Sequence, residues 1–305
     1  MRIGVPRALL YHNYRPALEW LAKENVAELV FSTATNKNKL DKGLALCDDE
    51  VCLPVKVLMG HIQSLLGEVD ALFLPRVIRL EKKRYICPKF LGLPDLVRAG
   101  LGTEVPLITP VINAGWNRFR QFGEGLRGLG LGPGPSLRVL RAWGQAARAQ
   151  EQERRRLADA LDVPRRGKRV AVLGHAYNIF DEHLNFGILR QLSALGVEPV
   201  TTENFRREQI EEGARCLAKD LFWSYGRELV GAALYCLNSR AVDGVILVAS
   251  FGCGPDSLIN ELISRRFSAS PLPLMSIILD EHSSGIGLAT RVEAFVDMLN
   301  WREMA

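Results

Sequence analysis

The strongest constraint in this sequence is a rhythm. Short apolar runs alternate with longer amphipathic stretches along most of the chain. A run such as Val245-Ile246-Leu247-Val248 has the length and branched side chains of a strand buried on both faces. Tyr14–Lys23, with Leu18, Leu21 and Ala22 on one side, has the period of a surface helix. Strands that alternate with helices are joined by crossovers, and such crossovers build parallel sheets wound right-handedly. The expectation is two α/β sandwiches with parallel sheets, joined by a helical connector.

The N-terminal part predicts strands at Arg2–Val5, Ala27–Phe31, Asp70–Leu74 and Pro106–Ile112. Helices are expected at Asn36–Leu46, at Cys52–Leu66 with Pro54 in the first turn, and from Pro94 to Gly100, after a polar loop. Trp116–Gly130 reads as a helix, followed by a Gly-Pro cluster that breaks any regular element. Ser136 opens a long helix to about Leu161. The C-terminal part predicts strands at Arg169–Leu173, Glu198–Thr202, Gly244–Ala249 and Leu274–Leu279. The helices between them are Asn185–Leu195, Glu208–Ala218, Leu221–Asn238 and Pro255–Ser264, with Gly287–Met298 last. The domains are therefore placed at 1–114 and 167–305, with a basic helical connector at 115–166.

With 305 residues the chain can bury a large core without disulfide staples. No apolar run approaches the length of a membrane-spanning helix, and the first residues lack the apolar region of a secretion signal. A cytoplasmic location is expected, where thiols stay reduced. The net charge of +5 is concentrated between Trp116 and Arg169, with 13 basic against 5 acidic residues. The rest is slightly acidic, which argues against a whole-surface nucleic-acid binder. No phosphate-cradling loop of the ATPase kind is present.

Six cysteines divide into two kinds. Cys52, Cys87 and Cys253 each stand at a strand–loop–helix junction, each with a proline within two residues. A helix N-terminus favours thiolate, the form that binds metal. The sharpest signal is Ser250-Phe-Gly252-Cys253-Gly254-Pro-Asp256-Ser257, where an apolar strand runs into a cysteine flanked by glycines. Such glycines let backbone come close to a bulky group, with N–H groups aimed at it. The same geometry suits a nucleophilic thiol, for which His175 or His282 is the candidate base. Asp256 and Ser257 read as helix caps. Cys216 and Cys236 lie inside helical patterns and read as core or half-buried thiols, while Cys47 is a supporting ligand or a helix-end residue. Spacings of 35 and 166 residues match neither the compact ferredoxin run nor paired zinc motifs. Two polar loops follow strands: His175-Ala-Tyr177-Asn178 and Asp280-Glu281-His282. Both are placed where α/β folds bind ligands, and both also read as solvated loops with caps.

Several segments together resemble a known family. They are Arg2-Ile-Gly-Val-Pro-Arg7-Ala, Asp49-Glu-Val-Cys52-Leu-Pro-Val-Lys56 with Gly60-His61, Tyr85-Ile-Cys87-Pro-Lys, Gly174-His-Ala-Tyr-Asn178, the Ser250–Ser257 segment, and Asp280-Glu-His with Thr290-Arg-Val-Glu-Ala-Phe. They resemble the acyl-CoA dehydratase activase-related proteins, which belong with the 2-hydroxyacyl-CoA dehydratase and benzoyl-CoA reductase iron–sulfur subunits. The resemblance implies flavodoxin-like (Rossmann-like) domains and a [4Fe-4S] cluster held by Cys52, Cys87 and Cys253, with one iron left without a protein ligand. His175, Tyr177, Asn178 and His282 would line the site. Ser250, Gly252 and Gly254 would lie against the cluster. The implied partner is an ATP-hydrolysing activase of the actin/Hsp70 type, which donates one electron at low potential toward a bound acyl-CoA-like or other small substrate. A homodimer stays open, as does a double-cubane cluster with six cysteine ligands. Two rival readings remain: a hydrolase or transferase using Cys253 as nucleophile, and a non-catalytic two-lobe binding module.

Overall fold

The computed structural model describes residues 1–24, 28–102, 105–114, 137–165 and 167–304. The expected helix Trp116–Gly130 and the Gly-Pro cluster after it lie outside the described residues. The chain forms two units. The N-terminal one comprises Met1–Val51, Val55–Glu153 and Phe222–Ser224; the C-terminal one comprises Cys52–Pro54, Arg154–Leu221 and Tyr225–Ala305.

In chain order the first elements are β1 (Arg2–Val5), α1 (Leu10–Lys23), β2 (Glu28–Phe31), α2 (Lys37–Ala45), α3 (Leu53–Leu65), β3 (Ala71–Phe73), β4 (Arg76–Arg79), α4 (Pro88–Leu101), β5 (Leu107–Ile108), β6 (Val111–Asn113) and α5 (Leu137–Asp159). The sheet of the N-terminal unit runs β2-β1-β3-β5, all parallel. A second parallel pair, β4 with β6, keeps the same offset: Phe73 pairs Ile108, and beyond the break Arg76 pairs Val111. Pro75 and Pro110 stand in the break. Proline has no N–H to give a ladder, so one long strand pair is divided into two. The single strand expected at Pro106–Ile112 is thereby corrected to two short ones. The polar loop expected after Leu74 contains β4, whose Arg-Val-Ile-Arg sequence buries only Val77.

Helix α4 also differs from expectation. It begins at Pro88, with Cys87 as its N-cap residue, and Pro94 lies inside it. The first-turn proline that reads as a start signal is Pro88, six residues earlier than expected. Helices α2 and α3 touch backbone to backbone. A Cβ on Gly43 would stand 1.8 Å from the Lys56 carbonyl oxygen, and one on Gly60 would stand 1.8 Å from that of Lys39. Only glycine at both positions permits this crossing.

The C-terminal unit continues with β7 (Arg169–Gly174), α6 (Ala176–Ile179), α7 (Ile188–Ala194), β8 (Glu198–Thr201), α8 (Arg207–Ala214), α9 (Ser224–Ser239), β9 (Gly244–Ser250), α10 (Gly254–Phe267), β10 (Leu274–Leu279) and α11 (Gly285–Met304). Its parallel sheet runs β10-β9-β7-β8. Every residue of β7 and β9 is buried, which is why both read as unbroken apolar runs. Leu173, Val200, Phe205, Val230, Val245 and Ile263 form part of its core. Arg169 anchors the start of β7: its guanidinium binds both Glu198 carboxylate oxygens at 3.0 Å and the carbonyls of Leu161 and Val163 at 3.1 Å. Two parallel-sheet, Rossmann-like units are thus present. No helix among the described residues is long and apolar enough to cross a membrane.

Candidate functional site

From β7 the chain passes to β8 on one side, and β9 lies on the other. The carboxyl ends of β7 and β9 therefore flank the point where the winding reverses, the place where open α/β sheets bind ligands. His175 follows β7, and the Phe251–Cys253 turn follows β9.

The turn is built by its backbone. Gly252 has φ +74°, a conformation that glycine adopts without strain. A Cβ there would lie 3.1 Å from Cys52 Cα and 3.4 Å from its nitrogen. The Leu53 N–H donates to the Phe251 carbonyl at 3.3 Å, so the segment carrying Cys52 is tied to the turn that precedes Cys253. Cys253 is then the N-cap residue of α10, with Pro255 in the first turn. Gly254 is different: a Cβ there would meet open space.

Across from the turn, His175 Nε2 lies 2.7 Å from Asp256 Oδ1, and both side chains are buried. Neither Asp256 oxygen has a well-directed hydrogen bond, so the ion-pair contact is its main compensation. Burial pulls the His175 imidazole down, but the Asp256 carboxylate, with Glu228 and Glu203 behind it, more than offsets this and holds the imidazole above its ordinary range. Burial pushes the Glu203 carboxyl up. The His175 ring packs on Tyr177 at 5.1 Å and on Tyr225 at 5.7 Å. One donor atom each from His175, Cys253 and Asp256 lie within 4.8 Å of one another, a set that can hold a metal ion. Burial, and next the Asp256 charge, push the Cys253 thiol up. These surroundings run against the thiolate expected at a helix start, and they disfavour it for a nucleophile and for a metal ligand alike unless a cation is present.

The other expected residues fall as follows. The Ser250 hydroxyl donates to Asn178 Oδ1 at 2.7 Å, with both groups buried, so Ser250 fixes Asn178. The Asn178 carbonyl accepts from Asn185 Nδ2 at 2.8 Å. His282 stands exposed in the turn after β10, where its backbone N–H donates to Asp280 Oδ1. Cys87, half-buried, belongs to the N-terminal unit. There Tyr85 stacks on Phe222 at 5.0 Å, and Arg79 lies over the Tyr85 ring. Cys236 is core. Cys216 is exposed, a correction: α8 ends at Ala214, so Cys216 lies past the helix that was to bury it. Cys47 is half-buried beyond the end of α2.

Asp256 was read as a cap and is instead turned inward to His175. Its signal, an acid just after Gly-Cys-Gly-Pro, is the same for both roles. Glu203 and Tyr225 carried no local signal at all.

A family model described as the CoA enzyme activase uncharacterised domain matches residues 2–205. The chain belongs to this family. The match contains Cys52, Cys87, His175, Tyr177 and Asn178, and ends before the Ser250–Ser257 segment. This is an activase-related family of the 2-hydroxyacyl-CoA dehydratase system. Comparison with curated proteins returns no match.

Proposed function

We propose that the protein is an iron–sulfur component of the 2-hydroxyacyl-CoA dehydratase/activase system, with Cys52, Cys87 and Cys253 as ligands to a [4Fe-4S] cluster. The observation that carries this reading is the Cys52–Gly252 approach. Two cysteines 201 positions apart are brought to one turn, where a side chain at Gly252 would press on Cys52. When bound, the cluster would supply one-electron chemistry at low potential, with an iron open to substrate. The chain's own residues would do the rest. Cys52 and Cys253 would give up thiol protons to bind. Gly252 would bring the two segments together. The buried His175–Asp256 pair would place a charged N–H donor beside Cys253, and hydrogen bonds of this kind tune a cluster's potential. Ser250 would hold Asn178 in the same wall. An ATP-hydrolysing activase is the proposed electron donor, and an acyl-CoA-like or small molecule the proposed acceptor.

The test is iron and acid-labile sulfide on protein purified without oxygen. About four of each per chain, with brown absorbance bleached by dithionite, is the expected result. Cys52→Ala, Cys87→Ala and Cys253→Ala should each lose it, and Cys216→Ala should keep it. About eight iron would establish the double cubane instead. Absence of iron after anaerobic reconstitution would overturn the reading.

A further inference from the structure

Asp256 is a buried carboxylate short of partners. It is 3 % exposed, and among the described residues no well-directed hydrogen bond reaches either of its oxygens. His175 Nε2, 2.7 Å from Oδ1, neutralises it only while the imidazole is protonated. The Cys253 thiol lies close enough to interact with it as well. Buried carboxylates are ordinarily hydrogen-bonded, and paired or metal-bound. Asp256 lacks the first and has the second only in part.

The three side chains converge on one point. His175 follows β7, while Cys253 and Asp256 open α10 after β9, and one donor atom from each lies within 4.8 Å of the other two. A tetrahedral zinc-class ion, bound by sulfur at about 2.3 Å and by nitrogen or oxygen at about 2.0–2.2 Å, sets its ligand atoms about 3.3–3.6 Å apart. The His175–Asp256 contact of 2.7 Å would widen by only about 0.6 Å to admit it. The donor set names the class. A thiolate, an imidazole and a carboxylate suit zinc and its neighbours, whereas calcium and magnesium take oxygen ligands. Three protein ligands also leave a tetrahedral ion its fourth position. Charge agrees: a thiolate and a carboxylate together balance a divalent ion. Burial, then the Asp256 charge, keep the Cys253 thiol protonated without a cation, and a metal displaces that proton. Gly252 and Gly254 beside Cys253 are exposed, so an ion can enter from solvent.

We propose that the cluster-free chain binds one divalent ion of the zinc class through His175, Cys253 and Asp256, with water or an exchangeable anion in the fourth position. This inference does not rest on the cluster. A cluster would combine Cys253 with Cys52 and Cys87, whereas the ion combines it with His175 and Asp256. One thiol serves both, so the two occupants exclude each other.

The experiment uses the full chain, reduced and stripped of metal by chelation. Zinc is titrated in competition with a chromophoric chelator, and one tight site per chain is expected. His175→Gln, Cys253→Ala and Asp256→Asn should each weaken it by about a hundredfold or more, at or beyond the loss that an outer-shell partner causes. Cys52→Ala and Cys87→Ala should keep the parent affinity. Cobalt(II) reports the geometry: the parent should show the strong visible bands of a four-coordinate ion and a thiolate-to-cobalt charge-transfer band, the latter absent in Cys253→Ala. Should His175→Gln not fold by circular dichroism, the nearly isosteric Asp256→Asn decides. No zinc binding by the parent, parent affinity in Asp256→Asn, or an equal loss in Cys52→Ala would overturn the site. The cluster is judged on loss of iron from Cys52→Ala and Cys87→Ala, so either reading can fail with the other intact.

Discussion

Gly252 and Gly254 flank one cysteine, yet substitution should move stability in opposite directions. Alanine at 252 must adopt φ +74°, which costs a non-glycine residue about 1–2 kcal/mol. Its Cβ would also press on Cys52 Cα at 3.1 Å. That target is backbone, so relief requires moving the Leu53–Phe251 link, and overpacking of this kind adds about 1–2 kcal/mol. The total is about 2–4 kcal/mol. For a folded body of this size that lowers the melting temperature by roughly 5–12 °C. Alanine at 254 meets open space at a helix start, and loses unfolded-chain freedom. It should be neutral or stabilising by about 0.4–1 kcal/mol. The assay is thermal melting of both variants, prepared without metal, by circular dichroism. A Gly252→Ala protein melting within a degree of the parent would refute the close approach. So would equal losses in the two variants.

Three further outcomes follow from the C-terminal unit. Because the folded His175 imidazole titrates above its ordinary 6.5, the His175–Asp256 pair contributes fully below that pH and is lost as pH rises through the folded value. The urea midpoint of metal-free protein should fall over that range, and Asp256→Asn should flatten the fall; a variant with the parent's pH profile contradicts this. Arg169→Ala should cost about 3 kcal/mol in urea unfolding, the low end for a broken buried pair, because Glu198 is one-third exposed; a loss under about 0.5 kcal/mol, ordinary for a surface site, would show the anchor to be idle. Cys236→Ser should cost about 1–3 kcal/mol by placing a hydroxyl in the core, whereas Cys216→Ser should stay within about 0.5 kcal/mol; similar losses would contradict their burial.

Legibility in the sequence followed burial. Strands β7 and β9 are buried along their whole length and read directly as apolar runs. Strand β4 did not, because two arginines bracket its apolar pair. The start of α4 was misplaced because Pro88 and Pro94 carry the same local signal, and the helix accommodates the second. At the site, the backbone requirement at Gly252 was visible, because glycines around a cysteine after a strand have few other uses. The His175–Asp256 pairing was not visible. Its members are 81 positions apart, and nothing local separates an inward carboxylate from a cap.

The crossing of α2 with α3 works as a ruler. Successive residues in a helix advance by about 1.5 Å. If α2 screwed past α3 by one residue, advancing that distance and turning about 100°, Lys42 or Leu44 would stand where Gly43 touches the Lys56 carbonyl; the same motion of α3 would bring Met59 or His61 to where Gly60 touches that of Lys39. None fits a gap in which even a methyl group collides. The two helices are therefore indexed, with a single permitted notch and no neighbouring one. The relative height of the two helices is set by two hydrogen atoms rather than negotiated by side chains.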